Sequence, residues 1–199
     1  MEFLGRIAPV TSGERVLIVG ASGGVGVYAV QMAKALGAEG TGIASSARED
    51  LVRSLGADHF IDYRAHSASE MNGIYAVIFD TAGVVSYPEV SHLLADGGRF
   101  VPLNYDVTDL RHMWTARRRG KRVILSVNGD SKEALQRLVE MIVGKKMRPV
   151  IDQIYPFAAI RQAYSHVESR SRKGAVILDL APGRAVGAAA SLLVALVYL

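Results

Sequence analysis

The sequence predicts an α/β chain built on a doubly wound, six-stranded parallel sheet. An apolar run from Arg15 to Val19 enters a cluster of four glycines (Gly20, Gly23, Gly24 and Gly26), and an amphipathic segment follows at once. Apolar runs and helix-periodic segments then alternate as far as Val127. Glycines punctuate these segments at Gly37, Gly56 and Gly97-Gly98. Strands buried on both faces of a parallel sheet read as continuous apolar runs. Regular alternation of strand and helix is the pattern of a doubly wound sheet.

The elements follow in order. Arg15 to Val19 is the first strand. From Gly24 to Leu36, Val25, Ala29, Met32, Ala33 and Leu36 line one helical face, and Gly37 closes the helix. Glu39 to Ile43 is the second strand, Arg48 to Leu55 a helix ended by Gly56, and His59 to Ile61 a short third strand. Ala76 to Asp80 is the fourth. Pro88 to Leu94 reads as a helix stopping at Gly97-Gly98, before a fifth strand from Arg99 to Leu103. A helix from Asp109 to Arg118 precedes the sixth strand, Val123 to Val127. Ser131 to Val143 is amphipathic, and Gly144 to Pro149 is a break. Val150 to Tyr155 and Ala175 to Leu180 read as strands flanking a helix from Phe157 to Val167. Six strands already complete the first sheet, so these belong to a second subdomain.

Composition bounds the chemistry. The chain has 199 residues, half of them hydrophobic, enough for one substantial core with a small appendage. It has no cysteine, which excludes disulfides and thiolate metal sites and matches a reducing cytoplasm. The formal charge of +4 favours anionic ligands. The opening residues lack the pattern of a signal peptide. The stretch from Ala185 to Leu199 is uncharged and apolar but shorter than the ~20 residues that span a bilayer, so a packed or frayed appendage is expected.

A strand, a glycine turn and a helix form the context that holds a pyrophosphate. Residues without a β-carbon let backbone N–H groups approach the phosphates, and the positive end of the helix faces the anion. A dinucleotide site is therefore expected at Ala21, Ser22, Gly23, Gly24, Val25 and Gly26. The spacing of Gly20, Gly24 and Gly26 also fits short-chain dehydrogenases. Those enzymes need a Tyr with a Lys four residues on, which lowers the phenol pKa, and none of the eight tyrosines here has one.

The stretch from Gly13 to Gly26, with Gln31 to Ala38, Arg53 to Tyr63, Phe79 to Gly83 and Gly97 to Val101, resembles the medium-chain dehydrogenase/reductase superfamily. The likeness is to its zinc-independent, quinone oxidoreductase-like branch. It covers nearly all of Leu4 to Leu180, including Gly144 to Pro149 and Gly174 to Leu178, which are similar to the family's return into its catalytic subdomain. It implies a Rossmann domain over residues 1–145, a return segment over 146–181, and an apolar tail over 182–199. It also implies a GroES-like barrel that this sequence lacks, as in a truncated member, a fragment or one part of a split protein.

The resemblance and the geometry of such sheets place further cofactor residues. The second strand ends without the acid that holds the ribose hydroxyls of NAD. Ser45, Ser46 and Arg48 suit a 2′-phosphate instead, although Ser45 and Ser46 also suit helix caps and Arg48 a solvated helix start. Tyr63 resembles a family tyrosine near that phosphate and also reads as a buried strand-end tyrosine. Thr81, Ala82 and Gly83 leave room for adenosine, and Leu103 and Asn104 neighbour the nicotinamide ribose. Lys173, with Arg172, stands in for a family arginine whose own position holds Ser171. The run Arg117 to Arg122 reads as a solvated turn at a helix end. The five histidines lack metal-type spacing, so no metal is expected.

The implied function is hydride transfer from NADPH to a quinone, enone or related electron-poor carbonyl compound, with no residue assigned as acid or nucleophile. Two rivals stand: a non-catalytic nucleotide-binding or dimerising module, and an enoyl-reductase segment of a larger synthase. Expected partners are the small-molecule acceptor and a second copy or a chain supplying the barrel. Neither nucleic acid nor membrane is expected.

Overall fold

A computed structural model describes residues 3–65, 70–126, 132–169 and 171–180, and the backbone of 193–196. The chain divides into two compact units, Met1–Arg148 and Pro149–Leu199.

In the first unit, six parallel strands lie in the order β3-β2-β1-β4-β5-β6. The strands are β1 (Arg15–Val19), β2 (Glu39–Ala44), β3 (His59–Asp62), β4 (Tyr75–Asp80), β5 (Leu94–Pro102) and β6 (Arg122–Val123). This is the doubly wound Rossmann order. The direction of winding reverses between β1 and β4, which opens a crevice at their carboxyl ends. Val16, Leu17 and Ile18 on β1 and Val77 and Ile78 on β4 are wholly buried, as the apolar runs require. Helix α1 (Gly26–Ala35) buries Val27, Ala29, Val30, Met32 and Ala33 and ends at Gly37, whose φ is +77°. Its buried Gln31 donates to Val27 O and Arg148 O and accepts from Arg148 N, so the segment after Val143 is tied to α1 without an unsatisfied amide.

Other helices are α2 (Glu49–Ser54), α3 (Tyr87–Val90), α4 (Val107–Arg118) and α5 (Lys132–Val143). A 3-10 turn at Ser46–Arg48 leads into α2, so the expected helix start at Arg48 falls within that turn. The helix expected from Pro88 to Leu94 is shorter: α3 gives way to a 3-10 turn at Ser91–Leu93, and β5 starts at Leu94. Leu94 pairs with Tyr75 while Arg99 pairs with Val77, so the residues between them bulge out of β5. Gly97 takes φ +73° there, and a β-carbon at Gly98 would lie 2.7 Å from Ala95 O. These glycines make a bulge in a strand and do not stop a helix. β6 is only a two-residue stub of the expected strand, and Val127 lies outside the described residues. An unexpected π-helical turn at Phe3–Ile7 buries Phe3 against Phe79, with ring centroids 5.4 Å apart.

The second unit has its own sheet, in the order β7-β8-β9. β7 (Ile151–Pro156) pairs parallel with β8 (Ala175–Asp179), and α6 (Ile160–Glu168) links them. Ala163 and Val167 of α6 pack on Val176 and Leu178. Within the apolar tail, the backbone of Leu193–Leu196 forms β9, antiparallel to β8. No helix among the described residues is long and apolar enough to cross a membrane.

Candidate cofactor site

The carboxyl ends of β1 and β4 meet at the switch point. The Thr81 hydroxyl donates to Val19 O at 2.7 Å, and its N–H donates to the same carbonyl. Gly20 takes φ +78°, and a β-carbon there would lie 2.8 Å from the Ala82 side chain. The turn after β1 is pinned on its other side, since the N–H groups of Gly20 and Ala21 both donate to Ile43 O of β2. Gly26 packs on the Gly20 carbonyl, so closely that no β-carbon fits between them. At Gly23 a β-carbon would meet Gly20 O at 3.3 Å.

The turn therefore holds its shape through Gly20 and Gly26, and Gly23 is packed less tightly than Gly26. Among the described residues, the N–H groups of Ser22, Gly24, Val25 and Gly26 have no backbone acceptor. They lie together at the N-terminus of α1, where the helix dipole adds positive potential. Ala21 is different. It is fully buried and its N–H is already engaged, so it packs the turn against β2.

The loop after β4 is organised by Asp80, which sequence reasoning placed in the strand without a role. One carboxylate oxygen accepts the N–H groups of Ala82 and Gly83, and the other those of Val84 and Val85, at 2.9–3.1 Å. Burial pushes the Asp80 carboxyl up from its usual range, and these amide donors oppose that rise. The available signal was an acid at the end of an apolar strand, followed by small residues. This loop carries Gly83, at φ +66°, to the Asn104 side chain, whose amide nitrogen a β-carbon at Gly83 would approach to 2.6 Å. Leu103 is held by its N–H to Asp80 O at 2.9 Å. Thr81, Ala82, Gly83, Leu103 and Asn104 are thus brought together around Asp80.

At the tip of β2, Ser45 precedes the 3-10 turn without a side-chain cap bond, and Arg48 N–H closes the turn on Ser45 O at 2.8 Å. Tyr63 is 54% exposed beneath the Arg64 guanidinium, so it is not the buried strand-end tyrosine that was the alternative.

A family model described as zinc-binding dehydrogenase matches residues 55–178 of this chain. The chain belongs to the zinc-binding dehydrogenase family. It is 30% identical over 172 residues to a chloroplastic NADPH-dependent alkenal/one oxidoreductase of Arabidopsis thaliana, covering 84% of this chain and 41% of the relative. A mitochondrial NAD(P)H oxidoreductase of Danio rerio is 32% identical over 190 residues, covering 84% of this chain and 49% of that protein. The chain thus spans about half the length of the curated relatives it matches. The structure of a quinone oxidoreductase from Coxiella burnetii superposes with a TM-score of 0.79 at 24% identity, over 88% of this chain and 55% of that one, and establishes the shared fold.

The donor set of this zinc-binding dehydrogenase domain does not fit a zinc ion. It has no cysteine, and among the described residues no three His, Asp or Glu side chains come together as metal ligands do. His66 lies outside the described residues.

Lys173 belongs to the second unit. It is exposed, and its N–H donates to Asp152 Oδ2 at 3.0 Å, just before β8. Gly174 follows at φ +97°, where a β-carbon would strike Val150 O.

Proposed function

We propose that this chain is the cofactor-binding portion of an NADPH-dependent oxidoreductase that works without zinc and reduces a quinone, enone or related electron-poor carbonyl compound. One observation carries the reading: the N–H groups of Ser22, Gly24, Val25 and Gly26, which have no backbone acceptor among the described residues, stand at the start of α1, beside the switch point. That arrangement suits a pyrophosphate. Ser45, Arg48 and Tyr63 would take the 2′-phosphate at the tips of β2 and β3. Thr81, Ala82 and Gly83 would border the adenosine, and Leu103 and Asn104 the nicotinamide ribose. Lys173 is carried only by the family likeness.

Bound NADPH would supply a hydride to the acceptor; the residues of this chain would bind and orient it. The relatives support the reaction class, since the Arabidopsis protein is an alkenal/one oxidoreductase and a 2-methylene-furan-3-one reductase of Solanum lycopersicum is 30% identical over 176 residues. A second copy, or a chain carrying a GroES-like barrel, is part of the same proposal. So is a cytoplasmic location, which rests on the absence of cysteine.

Titration of the intact chain with NADPH, followed by nicotinamide fluorescence, tests the reading. Saturable binding that disappears in a folded Gly23→Val variant is expected. Undiminished binding in that variant would remove the glycine turn as the phosphate site.

A further inference from the structure

The tip of β2 carries no acid, and that absence underlies the NADPH assignment. The neighbouring strand supplies one. β3 ends at Asp62, which lies directly across from Ala44 in the parallel ladder, one residue before Ser45. The Asp62 carboxylate accepts the Arg64 N–H at 2.9 Å. It also accepts both the hydroxyl and the N–H of Ser46. A hydroxyl has one proton to donate. The Ser46 hydroxyl is therefore already committed to a carboxylate and turns lone pairs, not a donor, toward an incoming anion.

Two consequences follow for a 2′-phosphate in this corner. Ser46 is thereby withdrawn from the four donor side chains expected there, which leaves Ser45, Arg48 and Tyr63 to supply donors. A full negative charge also stands one hydrogen bond behind Ser46, within a Debye length of a group carrying nearly two negative charges. The ribose hydroxyls of NADH would feel far less of this repulsion. Hydrogen bonds to its anionic form hold Asp62 below the usual carboxylate range, so the charge is present at any working pH.

We propose that Asp62 is a specificity-determining residue of the cofactor site, which discriminates against the 2′-phosphate and keeps the preference for NADPH over NADH modest. The proposal rests on the reading of the β2 tip as the 2′ site.

Asp62→Asn is the informative variant, because it removes the charge at nearly constant size and keeps one acceptor oxygen for the donors around it. NADPH, NADH, 2′,5′-ADP and 5′-AMP are titrated into wild type and variant at low and high salt. Affinity for NADPH and 2′,5′-ADP is expected to rise about three- to tenfold, with NADH and 5′-AMP unchanged within about twofold, and the gain shrinks in high salt. An equal change for all four ligands, or none, overturns the role of Asp62. Ser46→Ala gives an independent check if Asp62→Asn folds poorly. It is expected to leave NADPH affinity within about twofold, because the hydroxyl is already engaged, and a loss of about fivefold or more would overturn the proposal. Arg48→Ala in the same titrations separates the two levels. If it leaves NADPH affinity intact, the 2′ site itself is misplaced. If it weakens NADPH while Asp62→Asn changes nothing, only the Asp62 assignment fails.

Discussion

Gly26 packs so tightly on the carbonyl of Gly20 that a β-carbon at Gly26 would overlap the carbonyl oxygen. Gly23, in the same turn, has its nearest such neighbour at 3.3 Å. The two glycines therefore fail differently when replaced. Gly26→Ala is expected to destabilise the chain by about 1–3 kcal/mol through overpacking, with a lowered Tm in thermal unfolding. Gly23→Val meets the same carbonyl less closely, so it is expected to lower Tm less than Gly26→Ala and to lose cofactor, because it adds bulk to the turn proposed to hold the phosphates. A Gly26→Ala variant as stable as wild type would mean that the turn relaxes freely.

Asp80 is the second structural determinant of the site. Asn in its place has one acceptor oxygen, and its amide would face two N–H donors. Asp80→Asn is expected to cost about 2–4 kcal/mol in urea unfolding. It is also expected to weaken cofactor binding, because Gly83 and Asn104 depend on the same loop. Wild-type stability in this variant would show that the loop is held by its other contacts.

Much of this was legible in the sequence, for reasons that are physical. β1 and β4 cross the centre of the sheet, so their apolar runs are continuous, and the glycine turn is a local steric requirement that local sequence must satisfy. The Asp80 loop was less legible because its bonds run from a side chain to amides two to five residues on, and no periodicity records them. Asp62 escaped notice because β3 had to be placed beside β2 before its carboxylate met Ser46. Gly97-Gly98 misled because a glycine pair after a helical pattern reads as a stop, while strand pairing of Leu94 with Tyr75 claimed the residues before it. β9 is unreadable as a strand in an unbroken apolar tail and is defined only by pairing with β8.

Two helix starts set an acid limit on stability. The Ser86 hydroxyl and N–H hold Glu89 below its ordinary range, and the Thr108 hydroxyl and N–H do the same for Asp106. A depressed folded pKa contributes stability that is fully present above the unfolded value and lost as pH falls through the folded value. Stability is therefore expected to drop below about pH 4.5, with a shallower drop in Glu89→Gln, followed by urea unfolding across that range. An unchanged slope in the variant would remove Glu89 as a contributor.

Successive turns of α4 leave Val107 81%, Leu110 58% and Trp114 70% exposed. Apolar surface grouped in this way favours association. The intact chain is expected to self-associate in sedimentation velocity, and Trp114→Glu to shift the distribution toward the monomer. The same distribution for wild type and variant would place any association elsewhere.

The glycine turn and the tip of β2 together form the proposed NADPH site. Its most direct measurement is the ratio of Kd values for NADH and NADPH in wild type and in Arg48→Ala. NADPH is expected to bind wild type more tightly than NADH, by about tenfold or a little less given Asp62, because one or two charge-assisted contacts contribute about 1.5 kcal/mol each. Arg48→Ala is expected to erase most of that ratio and to leave the NADH value unchanged. Equal wild-type affinities for the two cofactors, or a ratio indifferent to Arg48, would contradict it.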